Sequence, residues 1–193
     1  MTTHPRPLPR PRSGHRPRPH SGAVFSPDRR YRYLLWRRWS EAWAGGADGA
    51  DMAPWALFIL LNPSTADEVR NDPTVERCQR RAVRAGYGGM VVLNIFALRS
   101  TDPAALYKEE DPVGHRNDRY IRFAARRIPD VVCGWGIHGA HLDRGKEVLA
   151  LLAESGARPQ AFGVTKEGQP KHPLYLPYSL APAPLMGSGR ALT

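Results

Sequence analysis

Cysteine is nearly missing from this chain of 193 residues: Cys78 and Cys133 are the only two, and they lie far apart. That scarcity excludes a disulfide-built scaffold, an all-cysteine zinc site and a four-cysteine iron–sulfur cluster. It also points to a reducing compartment, so a cytoplasmic setting is expected. Acidic side chains are the second shortage, with 18 Asp and Glu against 28 Lys and Arg, a net charge of +10. No run of ~18 apolar residues exists, so no membrane-spanning helix is expected. The N-terminus lacks the apolar stretch of a secretory signal.

What is present suits one globular domain. Hydrophobic residues make up 41% and charged residues 24%, enough to build a core without a disordered chain's excess of charge. Residues 1–22 differ, with six Pro, five Arg and no acid. Proline removes backbone donors and like charges repel, so this segment is expected to be a disordered basic tail ahead of a single α/β domain over 23–193. Its role is either an arm lying along a polyanion or a solvated extension. The domain without the tail still carries +5.

Along the chain, strand and helix patterns alternate. Residues 31–39 (YRYLLWRRW) read as an antiparallel or edge strand with charges facing out, and 44–51 as a loop. Residues 55–61 (WALFILL) form a continuous apolar run, as in a strand buried on both faces. Asp72 as N-cap, Pro73 at the first helical position and Gly86 as terminator delimit a helix. Residues 90–97 are a second buried strand, interrupted by Asn94; 130–135 are a third and 160–164 a fourth. Residues 113–128 hold a helix with an Arg-rich face, 141–155 read as helical, and 172–176 begin a last strand or loop. The expected fold is therefore three-layer α/β/α around a central, mostly parallel sheet. Ligands bind such sheets at the carboxyl ends of the strands, which directs attention to the loops after Leu61, Ala97, Trp135 and Val164.

Those loops hold the candidate residues. Asn62, Pro63, Ser64, Thr65 and Asp67 directly follow the first buried strand. Asn62 can bond a water or a base edge, or simply form an Asx turn before Pro63. Asp67 and Asp72 are candidate general bases, with a helix cap the alternative for Asp72. Asn94, an amide in an apolar strand, either bonds local backbone or reads a ligand. Arg99 suits a phosphate or carboxylate by bidentate contact. His172 can donate a hydrogen bond to a developing anion. His138 and His141 are spaced for a metal, but no third ligand accompanies them, so no metal is assigned.

The order of these segments carries a resemblance. A strand ending L-L-N-P-S, a second ending V-V-L-N, a third reading D-V-V-C-G-W-G and a late H-P-L together resemble the uracil-DNA glycosylase superfamily over roughly residues 55–176. The segments at 62–67, 71–74 and 172–176 are also similar to an uncharacterised bacterial family, the domain of unknown function numbered 1643. The superfamily resemblance implies a DNA-processing hydrolase that cleaves the N-glycosidic bond of a modified or damaged base. Asn62 would hold the attacking water or shape the site by its backbone, Asn94 would bond the base edge, and His172 would stabilise the departing base. Pro63, Ser64, Thr65, Asp72 and Arg99 would complete the substrate site. The sequence departs from that pattern at Leu60, Ser64 and Leu174, where the superfamily has Gly, Gly and Ser. It also lacks the water-activating Asp at position 62, so Asp67 or Asp72 would have to substitute.

The basic balance makes DNA, single- or double-stranded, the expected partner. No cofactor, no membrane and a monomer are expected. Three other readings stay open: a non-catalytic nucleic-acid-binding module, an enzyme acting on a free nucleotide or nucleoside, and, as a minor option, a metal hydrolase using His138, His141 and the acids.

Overall fold

The computed structural model describes residues 20–40 and 54–185. In chain order the elements are β1 (Ser21–Phe25), β2 (Arg32–Arg38), β3 (Trp55–Leu60), α1 (Pro73–Arg84), β4 (Gly89–Asn94), α2 (Asn117–Ala125), β5 (Asp130–Gly134), α3 (Arg144–Glu154), β6 (Arg158–Ala161) and β7 (Ala183–Pro184). Three short 3-10 turns, Pro103–Tyr107, Ile137–Asp143 and Pro173–Tyr175, sit in the loops.

The strands form one sheet in the order β1-β2-β4-β3-β5-β6-β7. β4, β3, β5 and β6 run parallel, while β1, β2 and β7 add antiparallel pairings at the flanks. The sheet is thus mixed, with a parallel centre, where the sequence suggested a mostly parallel one. Hydrophobic alternation assigns the two faces. Leu57, Ile59, Leu93 and Ile95 pack with Ile121 of α2 and Val148 and Leu152 of α3. Ala56, Phe58, Leu60, Met90 and Val92 pack with Val75, Cys78 and Ala82 of α1. β3 is apolar throughout because both its faces are covered.

Local chemistry explains α1. The Asp72 carboxylate accepts from Val75 N at 2.8 Å, Pro73 takes the first helical position, and Gly86 leaves the helix at φ +82°. Elsewhere the boundaries differ. α2, Asn117–Ala125, lies within the stretch 113–128 expected to hold a helix. The expected helix over 141–155 begins as a 3-10 turn and becomes α-helical at Arg144. The fourth parallel strand is Arg158–Ala161 rather than 160–164, set by its register with Asp130–Val132. Where a last strand or loop was expected over 172–176, Pro173–Tyr175 form a 3-10 turn, because Pro173 favours a helical start.

Of the expected tail, residues 1–19 lie outside the described residues, while Ser21 and Gly22 already belong to β1. Most of the expected loop 44–51 and its flanks, residues 41–53, also lie outside. Because β1 pairs along β2, the latter is not an edge strand. Two of its arginines, Arg32 and Arg37, are buried rather than facing out.

Candidate functional site

The parallel centre places a switch point between β3 and β5. β3 leads through α1 to β4 on one side, whereas β5 leads through α3 to β6 on the other. The crevice outside their carboxyl ends is where such sheets bind ligands. The loops around this edge include the one after β3, the one after β4, the one after β5 and the one carrying His172.

The loop after β3 is held from below. Asn62 Nδ2 donates to the carbonyls of Pro63 (3.1 Å) and Ser100 (2.9 Å), tying this loop to the one after β4. Ser100 N donates to the buried Pro63 carbonyl at 2.9 Å. Asp67 accepts from Val69 N (2.8 Å) and Arg70 N (2.7 Å), and these bonds hold its carboxyl below the usual carboxylate range. A carboxylate held so low is a weak base at neutral pH. Asp72 is buried and serves as the helix cap, with a second, 3.4 Å bond from Ala66 N. Both Asn62 and Asp67 therefore spend side-chain bonds on loop shape.

Arg37 completes this loop. It donates to Asn71 Oδ1 at 2.8 Å and to the carbonyls of Asp67 (2.8 Å), Glu68 (3.4 Å) and Arg70 (3.1 Å). A guanidinium fork suits such a ring of acceptors, which explains why a charged residue of β2 turns inward.

Asn94 lies at the end of β4 and is buried. Its carbonyl accepts from Asn117 Nδ2 at 2.9 Å, and the next carbonyl, of Ile95, accepts from Asn117 (2.9 Å) and from Arg144 Nε (2.8 Å). The side-chain Oδ1 accepts from Arg32 at 3.2 Å, and Arg32 also donates to the Ala66 carbonyl at 3.1 Å. The amide is thereby oriented with Nδ2 left over. That nitrogen has no partner among the described residues. Nor is it among their enclosed, unpaired atoms, so it borders accessible space.

Arg32 reaches Asn94 through a bulge. Val24 pairs with Leu34 but Phe25 pairs with Arg32, so Tyr33 is an extra residue in β2. The bulge shifts the side-chain alternation and puts Arg32 on the α1 side with Leu35. Burial pushes the Arg32 pKa down to about 10, partly opposed by the charge of Asp72. Its Nε has no partner. Sequence reasoning missed Arg32, because an arginine in an aromatic strand looks like a surface charge.

His172 sits over the end of β5, where a Cβ on Gly134 would meet Pro173 at 2.8 Å and one on Gly136 would meet the His172 Cβ at 3.9 Å. Its Nδ1 accepts from Leu174 N at 3.4 Å. Burial lowers its pKa to about 4, with Asp72 pulling the other way. The ring is therefore neutral at pH 7, and with Nδ1 accepting, Nε2 carries the proton.

Ser64, Thr65 and Arg99 come together as neighbours. With Arg29, Arg30, Ser100 and Thr101 they line an open cleft of about 490 Å³. Asn94 and His172 are outside this cleft, and the charge of Asp72, at the start of α1, acts on Arg32 and His172 alike. His138 and His141 sit in the loop after β5 and do not line this cleft. His138 Nδ1 meets the Tyr107 hydroxyl at 3.0 Å and His141 Nε2 meets the Leu106 carbonyl at 3.1 Å. No group of three His, Cys, Asp or Glu able to hold a metal occurs among the described residues. Both cysteines are buried, and burial pushes their thiols up, away from nucleophilic use.

These features define an α/β protein with a polar cluster at the carboxyl edge of the parallel centre of a mixed sheet. The chain belongs to the family DUF1643, described as a protein of unknown function, which matches residues 32–174. No curated protein and no solved structure matches the chain.

Proposed function

We propose that this chain is a DNA-processing hydrolase of uracil-DNA-glycosylase-like type, cleaving the N-glycosidic bond of a modified or damaged base. The observation that carries the reading is His172, a neutral imidazole with Nε2 as donor at the ligand edge of the sheet. When the C1′–N bond breaks, its electron pair leaves with the base, and negative charge gathers on a base carbonyl. A water oxygen bonds to C1′ and its proton passes to solvent. A neutral donor aimed at the forming oxyanion stabilises it and costs no reorganisation.

In this reading Asn94 bonds the base edge through Nδ2, since Arg32 occupies Oδ1. Asn62 and Asp67 shape the loop against which water is held, and Pro63, Ser64, Thr65, Asp72 and Arg99 support the substrate. A base in a duplex must first be flipped out of the stack.

A second reading, a module that binds nucleic acid without cleaving it, is favoured by one observation. The candidate water-activating groups are engaged: Asp67 in its own loop, Asp72 in the helix cap and Asn62 between two carbonyls.

The test is incubation with labelled single- and double-stranded DNA carrying uracil, hypoxanthine, xanthine, 5-hydroxymethyluracil or a mismatched thymine. Alkali-labile sites are scored for wild type, Asn94→Ala and His172→Ala. Cleavage that drops ~100-fold or more in the His172 variant is the expected outcome. Retention of DNA with no cleavage of any substrate would overturn the hydrolase and leave the binding module.

A further inference from the structure

The cleft beside Arg99 has a composition of its own. Three loops build it: the β1–β2 turn supplies Arg29 and Arg30, the loop after β3 supplies Ser64 and Thr65, and the loop after β4 supplies Arg99, Ser100 and Thr101. Every lining residue is an arginine, a serine or a threonine, and no carboxylate lines the cleft.

Two of the arginines are already neutralised. Arg29 makes a bidentate pair with Glu68, at 2.7 and 3.0 Å, and Glu68 is held down to about 2 by that pairing. Arg30 pairs with Glu109. Arg99 has no carboxylate partner among the described residues. One of its terminal nitrogens donates to the Arg29 carbonyl at 3.1 Å, and its guanidinium rests against the Phe25 ring at 4.9 Å. Its Nε is enclosed without a partner. Its second terminal nitrogen also has no partner among the described residues and is not enclosed, so an uncompensated cation presents a free donor that a bound anion would satisfy.

The hydroxyls divide in the same way. Ser100 Oγ is closed onto Asp102, donating to its carbonyl at 2.8 Å and accepting from its N–H at 3.0 Å. The hydroxyls of Ser64, Thr65 and Thr101 have no hydrogen bond among the described residues. The cleft therefore offers one cation and three hydroxyl donors and asks for an acceptor-rich anion. A carboxylate has two oxygens to offer; a phosphate has more and suits this donor set better.

We propose that this cleft is a phosphate-binding subsite in which Arg99 supplies the charge and Ser64, Thr65 and Thr101 supply hydroxyl donors. It deepens the reading of the carboxyl edge as the ligand face, and it does not depend on bond cleavage. The phosphate belongs either to a free nucleotide or to a nucleic-acid backbone.

Calorimetric titration of the full chain tests this with four probes: inorganic phosphate, thymidine, thymidine 5′-monophosphate, and a short single-stranded oligonucleotide without terminal phosphates. The proposal expects at least one of the last two to bind more tightly than thymidine. Arg99→Gln should weaken that ligand roughly ten- to a hundred-fold. Binding of the monophosphate alone identifies a free nucleotide as the source, and binding of the oligonucleotide identifies the backbone. Thr65→Val, a change at an exposed position, gives a second reading of the cleft and should weaken the same ligand. Equal affinity for thymidine and both phosphate-bearing probes, no binding by any of them, or affinities untouched by both substitutions would overturn the proposal. His172→Ala should leave the phosphate affinity intact, so lost cleavage with retained phosphate binding separates this subsite from the proposed hydrolysis.

Discussion

His172 couples its site to pH through burial. Its pKa in the folded chain, about 4, lies below the 6.5 of an ordinary imidazole. As pH falls, the unfolded chain therefore takes up this proton first. The stability linked to this group is complete above pH 6.5, declines between 6.5 and 4, and changes no further below. The part of the ring that solvent still reaches keeps the effect to about 1–3 kcal/mol over that window. Urea midpoints measured across this range check the slope, and His172→Gln should flatten it. A pH-independent difference between the two proteins would place His172 in solvent rather than in a desolvated site. Asn94 is constrained differently, by neighbours rather than by charge. Arg32 fixes its amide while Asn117 and Arg144 hold the backbone at its end of β4. Such support is what a side chain needs in order to read a ligand at fixed geometry.

The loop between β3 and α1 is the element on which the site depends. Arg37, from a strand some thirty residues earlier, holds its carbonyls. Replacing Arg37 with Leu removes four hydrogen bonds to half-buried and exposed loop acceptors, for an expected loss of about 1–3 kcal/mol in chemical denaturation. A loss near zero would mean that water replaces the guanidinium. The sequence made part of this design legible. α1 is set by contacts within a few residues, Asp72 to Val75 and the turn at Gly86, so its limits could be read directly. β3 needed only its apolar run. Ser64, Thr65 and Arg99 were identifiable because they follow buried strands. The inward turn of Arg32 and Arg37 was not, because it depends on acceptors distant in sequence and on a bulge at Tyr33. β1 was hidden beside a Pro- and Arg-rich segment, and β7 is two residues long. Arg29 and Arg30 joined the cleft only through the β1–β2 hairpin, which pairing rather than local propensity creates.

Across the whole molecule, the positive charge is not all available to a partner. Arg32, Arg37, Arg81 and Arg144 are buried. Arg81 donates to the carbonyls of Leu176, Pro177 and Leu180, and together with Arg77 and Arg84 it packs around the Tyr178 ring. These arginines fasten the segment that follows His172 onto α1, a structural use of charge that composition alone assigns to nucleic-acid binding. No helix among the described residues is long and apolar enough to cross a membrane. The two ends of the sheet differ in chemistry. The amino ends border an apolar groove of about 800 Å³ lined by Leu34, Tyr87, Phe123 and Ile128, whereas the carboxyl ends carry Asn94, His172 and the arginine–hydroxyl cleft. The central claim is that the carboxyl edge is the ligand face. It is tested most directly by mapping backbone amide shifts in a ¹H–¹⁵N spectrum as whichever of thymidine 5′-monophosphate and a short single-stranded oligonucleotide binds is added. The account predicts saturable shifts at Ser64, Thr65, Arg99, Thr101 and His172, with Gly86, Asp130 and Gly156 at the opposite edge unmoved. Shifts centred on Gly86, Asp130 and Gly156 instead would contradict it.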